Sequence, residues 1–425
     1  GAGIVSITVK NPDAQSATKT AAYTYLSVLA RPRTYWTRQF GGSGNDIPWA
    51  ITTGPGGDIW VYGSTWSDLA GVVGDQDLFL ARYSKTGTLK WIRQFGTTLK
   101  DQPSQRIVVL ANGDAFLTGR TTGVWPGETG HGAQADIFVA KFDKNGTKVW
   151  AHQYGTDSDD SGFAIGRAPN GDLYVSADTA AQFPSGSLPA NTWGGNLDAV
   201  LLKLDKFGVL QWARQVGGTA NDAPWDVAVG KSGEIYLAGS AGGDLDGPTG
   251  TLCNRPAPAT TGCTYGGSDW DPFLIRFTTT GSVVWAMQNS RASGDTDDQT
   301  YGVVVGPGGD VFLAGGTFGY LGTTDGLGAN LGGYDGFVSR YTKDGVLRWT
   351  NQHGTDADDW EWDLEVAPSL DSPVSQLRVC SRPISQRSPP TEPALPPCSS
   401  PPRAMCSTPI TTPALLSPPH RRVGC

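Results

Sequence analysis

The stretch Asp77-Leu78-Phe79-Leu80-Ala81-Arg82-Tyr83-Ser84-Lys85-Thr86-Gly87-Thr88-Leu89-Lys90-Trp91-Ile92-Arg93-Gln94-Phe95 decides the fold of this chain. Two short apolar runs flank a polar turn that contains a glycine, which is the pattern of a β-hairpin. A tryptophan followed three residues later by a glutamine recurs at intervals of 55 to 73 residues. This period indicates a repeat architecture, in which each unit buries its apolar face against its neighbours. The six pairs are Trp36/Gln39, Trp91/Gln94, Trp150/Gln153, Trp212/Gln215, Trp285/Gln288 and Trp349/Gln352.

Two further apolar runs precede the hairpin in each unit. In the first unit they are Ile47 to Thr53 and Asp58 to Gly63, separated by a turn of glycine and proline. Four such runs per unit, without helical periodicity, predict a four-stranded antiparallel meander, whose strands we label a to d. Repeated four-stranded sheets are typical of a β-propeller, in which blades surround a central channel. The sequence therefore predicts an all-β protein with β-propeller repeats over residues 33–368, and a linear β-solenoid is the alternative.

The number of blades depends on how the ends of the repeat region are interpreted. Residues Thr34 to Phe40 match a d strand without preceding strands, and Trp360 to Ala367 match an a strand without a recognisable continuation. These partial units could share a sixth blade, or they could belong to a larger ring in a longer parent protein. We favour the larger ring. Five complete units are predicted to begin near Asp46, Asp101, Asp160, Asp222 and Asp298.

The end of the chain has a different composition from the repeats. Residues 377–425 contain 12 of the 29 prolines and four of the six cysteines, but no tryptophan, tyrosine or phenylalanine. A segment with so few large apolar side chains cannot bury a core. The change falls where strand a of the sixth unit should turn into strand b. A reading-frame shift in the source DNA is therefore favoured over a genuine proline-rich disordered tail.

Charge and hydropathy exclude two classes of partner. The 425 residues carry a net charge of −8, and the repeat region holds most of the acidic side chains. Nucleic acids and anionic membrane surfaces bind clustered lysine and arginine, so neither is an expected partner. No stretch reaches the roughly 18 to 20 consecutive apolar residues that a transmembrane helix requires. We therefore expect neither nucleic-acid binding nor insertion into a membrane.

Two cysteines lie in the repeat region, both in one long loop of the fourth unit. Cys253 and Cys263 are ten residues apart and are flanked by glycine, proline, asparagine and threonine. This spacing in a polar loop predicts a disulfide, and the alternative is two free thiols. Because disulfides persist in oxidising compartments, the pair favours a location outside the cytoplasm.

Two series of aspartates recur at fixed places in the repeat. In an up-and-down meander, the d–a and b–c connections emerge at the same end of the blade, so both series should lie on one face. That face also carries the long insertions at 64–76, 120–135, 178–197, 240–270 and 316–334, and we call it the insertion face. Loops on a rigid scaffold are where binding residues usually lie. One series precedes strand a (Asp46, Asp101, Asp160, Asp222, Asp298, Asp359), and the other opens strand c (Asp77, Asp136, Asp198, Asp271, Asp335).

Three of the d–a connections have the pattern Asp-x-Asp-Asp. The first continues as Asp157-Ser158-Asp159-Asp160-Ser161-Gly162, which partly resembles a calcium-binding loop in which alternate oxygens surround the ion. The pattern lacks the glutamate at the twelfth position. The alternative is that each aspartate caps the backbone N–H groups of its own loop. The candidate Ca²⁺ ligands are Asp157, Asp159, Asp160, Asp295, Asp297, Asp298, Asp356, Asp358 and Asp359.

The tryptophans fall into two groups. Those of the Trp/Gln pairs are expected to pack between blades, while each glutamine can satisfy backbone groups of a neighbouring loop. Aromatic residues three positions after the strand-a aspartate, such as Trp225, should also pack between blades. A second group lies in the polar insertions, where an exposed ring could stack on a sugar or anchor a protein partner, with burial under the loops as the alternative. These candidates are Trp66, Trp125, Trp193 and Trp270.

The repeat resembles the SBBP-type β-propeller repeats of bacterial secreted and surface proteins. Residues Gly41 to Asp46, Gly57 to Gly63, Asp77 to Tyr83 and Gly87 to Trp91 carry the resemblance, which covers about 34 to 368. Residues 1–27 are similar to the closing strands of an IPT/TIG immunoglobulin-like domain. Both resemblances imply a multidomain protein with an extracellular or bacterial cell-surface location and no defined chemistry. A weaker similarity to the tryptophan-docking motif of quinoprotein dehydrogenases rests on Asp143 to Trp150 and Asp205 to Trp212.

Three functions remain open at this point. The first is a non-enzymatic extracellular module that presents loops for protein or glycan binding and needs no cofactor. The second is a calcium-stabilised structural spacer of a surface protein. The third is a propeller enzyme, either a quinoprotein or a glycosidase with a pair of carboxylates, but the repeats offer too many equivalent aspartates to select a pair. A catalytic pair should depart from the repeat pattern. The first function is favoured.

Overall fold

The computed structural model describes residues 3–10, 16–25, 36–71, 74–131, 134–184, 197–245, 270–288, 297–319, 321, 332–367, 376–383 and 405–406. Within them the regular structure is β-strand, apart from a 3-10 helix at Pro55–Gly57. Strands β1 (Gly3–Lys10) and β2 (Ser16–Tyr25) form an antiparallel pair. This pair lies in the region assigned to the end of an immunoglobulin-like domain, and that assignment stays a prediction. The described residues contain no helix with the length and apolar character needed to cross a bilayer.

Five four-stranded antiparallel sheets follow, and we call them blades 1 to 5. Blade 1 consists of β3 (Asp46–Thr53), β4 (Ile59–Thr65), β5 (Asp77–Tyr83) and β6 (Leu89–Phe95). Blade 2 consists of β7 (Asp101–Val109), β8 (Ala115–Thr121), β9 (Asp136–Phe142) and β10 (Lys148–Tyr154). Blade 3 consists of β11 (Asp160–Arg167), β12 (Leu173–Thr179), β13 (Asp198–Leu204) and β14 (Leu210–Val216). Blade 4 consists of β15 (Asp222–Val229), β16 (Ile235–Ala241), β17 (Asp271–Phe277) and β18 (Val283–Gln288), and blade 5 of β19 (Asp298–Val305), β20 (Val311–Thr317), β21 (Asp335–Tyr341) and β22 (Leu347–His353).

Strands pair in chain order within each blade, so each blade is an up-and-down meander. The predicted all-β fold with five complete four-stranded units is therefore confirmed. The first strands of consecutive blades contact one another, from β3 to β7 and onward along the chain. Strand a of each blade thus lies innermost, and the d strand lies at the outer edge. This arrangement defines the fold as a β-propeller.

A sixth sheet follows blade 5. It contains β23 (Asp359–Ala367), β24 (Gln376–Pro383) and β25 (Met405–Cys406). Strand β23 is the predicted strand a of a partial sixth blade, which we call blade 6. Strand β24 pairs with it in antiparallel fashion, although β24 falls almost entirely in the segment assigned to the tail. Apart from β24 and β25, residues 377–425 lie outside the described residues, so their assignment as a disordered or frame-shifted tail stays a prediction.

The described part of the predicted d strand at Thr34 to Phe40 is not a strand. Residues 36 to 40 form no β-ladder with any other described strand. A d strand forms its ladder with a c strand, and the described residues before this segment form only the β1–β2 pair. Its side chains nevertheless pack on blade 1, because Phe40 contacts Phe79 with ring centroids 5.3 Å apart.

The core lies between blades rather than within them. Trp60 and Tyr62 of blade 1 are fully buried against Ile107, Leu117 and Phe138 of blade 2. Burying a large apolar side chain contributes about 1.5–3 kcal/mol, so each interface between blades is worth many such contributions before the entropy cost. An isolated blade would lose this burial, which is why the repeats stabilise one another.

The turn between strands c and d joins each blade to the one before it. Gly146 has a φ of 78°, a conformation that favours glycine, and a Cβ there would lie 2.9 Å from the ring of Trp91. The indole Nε1 of Trp91 donates to the carbonyl of Lys144 in the same turn, at 3.2 Å. The predicted packing of the repeat tryptophans between blades is confirmed at this position. Trp212 and Trp285 make the same bond to Thr279 and Lys343.

Candidate functional site

The two aspartate series meet on the insertion face, as the sequence predicts. The backbone N–H of Asp160, at the start of blade 3, donates to the carbonyl of Ala135, which directly precedes strand c of blade 2, at 2.8 Å. This bond joins the end of one insertion to the first residue of the next blade. Every pair of consecutive blades has it, through Asp101 and Gln76, Asp222 and Leu197, Asp298 and Trp270, and Asp359 and Tyr334.

The aspartate before strand a caps its own loop. The Oδ2 atom of Asp101 accepts bonds from the backbone N–H of Thr97 at 2.6 Å and from its hydroxyl at 3.1 Å. Burial raises the pKa of Asp101 to about 6 despite these bonds, and it does the same for Asp160. The proposed capping role is therefore observed. Corresponding N–H bonds reach Asp46 from Gly42, Asp160 from Thr156, Asp222 from Gly218 and Asp359 from Thr355.

The repeat glutamine binds the insertion loop to the blade. In blade 2, Gln153 Nε2 donates to Asp136 Oδ2 at 2.7 Å and to the carbonyl of Gly123 at 2.9 Å. Its Oε1 accepts the backbone N–H of Trp125 at 3.1 Å. The amide thus connects a loop donor, a loop acceptor and the strand-c aspartate, and we call this arrangement the glutamine clamp. The same Gln–Asp bond occurs in Gln94–Asp77, Gln215–Asp198, Gln288–Asp271 and Gln352–Asp335.

The first Asp-x-Asp-Asp loop does not gather its three carboxylates. Asp157 is exposed, whereas Asp160 is buried and caps the loop. Asp159 Oδ1 accepts the guanidinium of Arg120 at 3.0 Å and the backbone N–H of Ala135 at 3.2 Å. A hard cation needs six to eight oxygens around it, and an arginine beside one of them opposes binding of a cation.

The other two Asp-x-Asp-Asp loops use their middle aspartate in the same way. Asp297 accepts the backbone N–H of Trp270 at 3.2 Å, and Asp358 accepts that of Tyr334 at 3.1 Å. Both donors directly precede a strand c, like Ala135. Asp356 is exposed and Asp359 is a cap, while Asp298 opens strand β19 and Asp295 lies outside the described residues.

The described residues therefore form no group of three or more His, Cys, Asp or Glu that could hold a metal ion. The loops fit backbone capping better than calcium coordination. The middle aspartate of each loop fixes the end of the preceding insertion, and the last one fixes its own loop. Calcium binding by the chain stays a prediction. The predicted disulfide between Cys253 and Cys263 lies outside the described residues.

The loop tryptophans differ in accessibility. Trp66 is 44% exposed, as expected for a ligand-binding ring, and Trp270 is half-buried. Trp125 is only 1% exposed and packs on Phe95 and Phe138, so the expectation of an accessible ring does not hold for it. The glutamine clamp explains the difference, because it draws the backbone of Trp125 onto the blade. Trp193 lies outside the described residues.

Phe318 is an exposed aromatic residue that was not predicted from the sequence. Phe318 is the first residue after strand β20, and Trp66 is the first residue after strand β4. Phe318 is 46% exposed, almost the same as Trp66. The backbone N–H groups of the two residues donate to equivalent d–a loop carbonyls, Asn45 for Trp66 and Asp297 for Phe318. The shared repeat position was the signal that could have identified Phe318.

Aromatic rings line the inner strands, as predicted. Ring centroids are 5.1 Å apart between Phe163 and Trp225, 5.4 Å between Trp225 and Tyr301, and 4.3 Å between Tyr301 and Trp362. Each contact joins consecutive blades, so the predicted packing of these residues between blades is confirmed. Each ring lies at a register shift of its strand a, where an extra residue bulges out of the ladder. The indole Nε1 of Trp49 instead donates a hydrogen bond to the hydroxyl of Ser64 within its own blade.

Three charged residues depart from the repeat and meet among the inner strands. Arg106 of β7 contacts Asp226 of β15 at 2.5 Å and Asp363 of β23 at 3.3 Å. Its guanidinium also donates to the carbonyl of Val303 in β19 at 3.1 Å. Burial raises the pKa of Asp226 to about 6, and Arg106 counteracts this rise. The sequence signal was the aspartate four residues after the strand-a aspartate, where blades 1, 3 and 5 have alanine or glycine.

A fourth departure is Asp178 in strand β12. Its side chain is buried, and neither carboxylate oxygen has a hydrogen-bond partner among the described residues. Burial raises its pKa to about 7, although Arg120 opposes the rise. Blade 4 has serine at this position, and Ser240 accepts the backbone N–H of Thr300 in the next blade. The residue that corresponds to Thr300 beside Asp178 is Pro224, which has no N–H to donate.

The similarity of the chain to known proteins is distant. No protein-family model matches the chain. The regulatory protein FlaEY of Caulobacter vibrioides is 27% identical over 220 residues, which are 48% of this chain and 22% of that protein, so the chain spans less than a quarter of this relative.

Three solved structures have similar folds. A protein of unknown function from Dyadobacter fermentans has a TM-score of 0.44 and 11% identity, covering 81% of this chain and 93% of the other. The PL25 ulvan lyase has a TM-score of 0.40 and 12% identity over 89% and 87% of the two chains. The periplasmic gluconolactonase PpgL of Pseudomonas aeruginosa has the same TM-score and identity over 79% and 81%. At this level of similarity, the sheets of the chain itself carry the fold assignment.

Proposed function

We propose that the chain is a non-enzymatic extracellular or cell-surface binding module whose insertion face binds a glycan or protein ligand. The observation that carries this proposal is the pair Trp66 and Phe318. These exposed rings occupy the same repeat position in blades 1 and 5, and their backbone N–H groups are bonded in the same way. A ring on a backbone that is already fixed loses less conformational entropy when a ligand covers it.

The chemistry of the surface supports both ligand classes. Tryptophan and phenylalanine offer flat apolar faces, which can stack on sugar rings or fill a pocket in a protein partner. The glutamine clamps restrain the insertion loops, so loop sequence can vary without loss of the scaffold. No described departure from the repeat supplies a solvent-accessible pair of carboxylates, which is why an enzyme is the weaker proposal.

Binding of the full chain to glycan arrays and to immobilised surface proteins tests the proposal. Trp66→Ala and Phe318→Ala should each reduce binding at least about tenfold, as loss of an anchor ring does. Leu89→Ala is the matched control, since Leu89 is 46% exposed at the start of strand β6, on the face opposite the insertions. Equal affinity in all three variants, for every ligand that binds the wild type, would contradict the proposal. The array and protein arms distinguish the two ligand classes.

A further inference from the structure

The ion pairs of Arg106 constrain the size of the ring. Arg106 belongs to blade 2, Asp226 to blade 4 and Asp363 to blade 6, and both carboxylates lie within 3.3 Å of one guanidinium nitrogen. The three residues therefore belong to alternate blades, with blade 3 between the first two and blade 5 between the last two. Propellers have four to eight blades, and the channel widens with their number. Three alternate inner strands can meet at one side chain in a ring with six places, whereas additional blades would move them apart.

The distance between Arg106 and Asp363 brings blade 6 close to the open side of blade 1. Blade 2 contacts blade 1 through β3 and β7, and the inner strands β7 and β23 approach within the length of one arginine side chain. The inner strands β3 and β23 lack the close contact that joins each other pair of consecutive inner strands, so the junction between blade 6 and blade 1 is the one left to close.

The segment at residues 36 to 40 already has the side-chain contacts of an outer strand. Trp36 Nε1 donates to the carbonyl of Lys85 at 3.0 Å, the bond that Trp91 makes one blade further along. Arg38 Nε donates to the carbonyl of Gly87 in the same turn at 2.8 Å. A cavity of about 200 Å³ lies beside this segment and is lined by Arg38, Gln39, Phe40, Asp46, Pro48 and Phe79.

We propose that the chain forms a closed six-bladed ring in which residues 36 to 40 take the outer-strand place of blade 6, next to β25. The surface of blade 1 that carries Trp36 and Phe40 is then an interface with the chain's own last blade. This assignment replaces the larger ring that the sequence favours. It does not depend on the ligand of the insertion face. A second copy of the chain is the competing occupant of this surface.

Cross-linking tests the proposal directly. Directly opposite residues on neighbouring antiparallel strands have Cβ atoms about 4.5–5.5 Å apart. Two cysteines at such positions can form a disulfide after a small shift of the strands. Thr37→Cys, Arg38→Cys and Gln39→Cys are oxidised in the full chain carrying Cys380→Ser, because Cys380 lies directly opposite Cys406 in the β24–β25 pair. The bridges are mapped by mass spectrometry. At least one should form an intramolecular bridge to Cys406 of β25 that disappears with Cys406→Ser. Gln211→Cys, exposed on the outer strand of blade 3, is the control and should not link to Cys406.

A second measurement does not require a bridge to form. Trp36→Ala should increase hydrogen exchange in β23 as well as in blade 1, because a closed ring couples the two. Exchange that rises in blade 1 alone, together with no bridge to Cys406, would overturn the closed ring. Bridges that link two chains would assign the surface to a second copy and would overturn the proposal as well.

Discussion

Ala177 in strand β12 is paired with Val200 in strand β13, whereas the other four complete blades pair a glycine with a phenylalanine at this place. Blade 3 thus has alanine in place of glycine and valine in place of phenylalanine, so the added methyl group is matched by a smaller partner. The crowding is visible at Gly119, where a Cβ would lie 2.8 Å from Phe138 and 2.1 Å from the carbonyl of Gln102. The glycine–phenylalanine pairs are Gly63–Phe79, Gly119–Phe138, Gly239–Phe273 and Gly315–Phe337.

This pairing predicts that Gly119→Ala destabilises the protein. The new methyl group must displace the Phe138 ring and the backbone of strand β7, and overpacking of this kind costs about 1–3 kcal/mol. Urea unfolding at neutral pH measures the change. The double variant Gly119→Ala/Phe138→Val reproduces the pair of blade 3 and should lose less stability than the sum of its single variants. Strict additivity of the two single changes would contradict the coupling.

The glutamine clamp predicts a stabilising role for Gln215. Gln215 Nε2 donates to Asp198 Oδ2 at 2.8 Å, and its Oε1 accepts the N–H of Phe183 at 2.8 Å. Gln215→Ala leaves buried polar groups without these partners, which costs about 1–3 kcal/mol for each unsatisfied group. We therefore expect a lower unfolding midpoint and faster proteolysis after strand β12.

The control for this experiment lies on the same strand. Gln211 is exposed, and its side-chain amide donates to the nearby carbonyl of Val209. Gln211→Ala should change stability by no more than about 0.5 kcal/mol. If the two substitutions change the free energy of unfolding equally, the hydrogen bonds of Gln215 do not stabilise the protein, and the clamp is not the explanation.

The fold could be predicted from the sequence because each blade repeats the same pattern of apolar and turn residues. Strand positions, the packing of Trp91 on the next blade and the common face of the two aspartate series all follow from hydrophobic alternation and turn residues. The contact between Arg106 and Asp363 could not be predicted, since it joins residues 257 positions apart across the ring. The burial of Trp125 was also unpredictable, because it depends on the distance between a loop and a glutamine on another strand.

Calcium should have little effect on thermal stability if the Asp-x-Asp-Asp loops are caps. Asp159 is paired with Arg120, and Asp160 is held by Thr156 at 2.6 Å, so neither carboxylate is free to turn toward an ion. We expect the unfolding temperature of the full chain to be the same, within about 1–2 °C, in millimolar Ca²⁺ and in chelator. A rise of several degrees that Asp159→Asn abolishes would instead make the loop a calcium site.

Asp178 predicts that the protein becomes less stable as the pH rises from about 4 to about 7. Its folded pKa of about 7 lies above the ordinary value of 3.8, because burial penalises the charged form. In this window the folded state holds a proton that the unfolded state has released, so unfolding becomes easier with each step in pH. One pKa unit corresponds to about 1.4 kcal/mol, so Asp178 alone should remove about 2–3 kcal/mol between pH 5 and pH 8.

Asp178→Asn isolates this contribution because asparagine cannot ionise. Asp101, Asp160 and Asp226 have pKa values raised to about 6 and should leave part of the pH dependence in place. The free energy of unfolding in urea, measured at pH 5 and pH 8, should therefore differ less in the variant than in the wild type. The absolute stability of the variant is not diagnostic, since a buried amide also lacks partners at this site. Identical pH slopes for the two proteins would show that Asp178 keeps its charge when buried, and Arg120 would then be the group that compensates it.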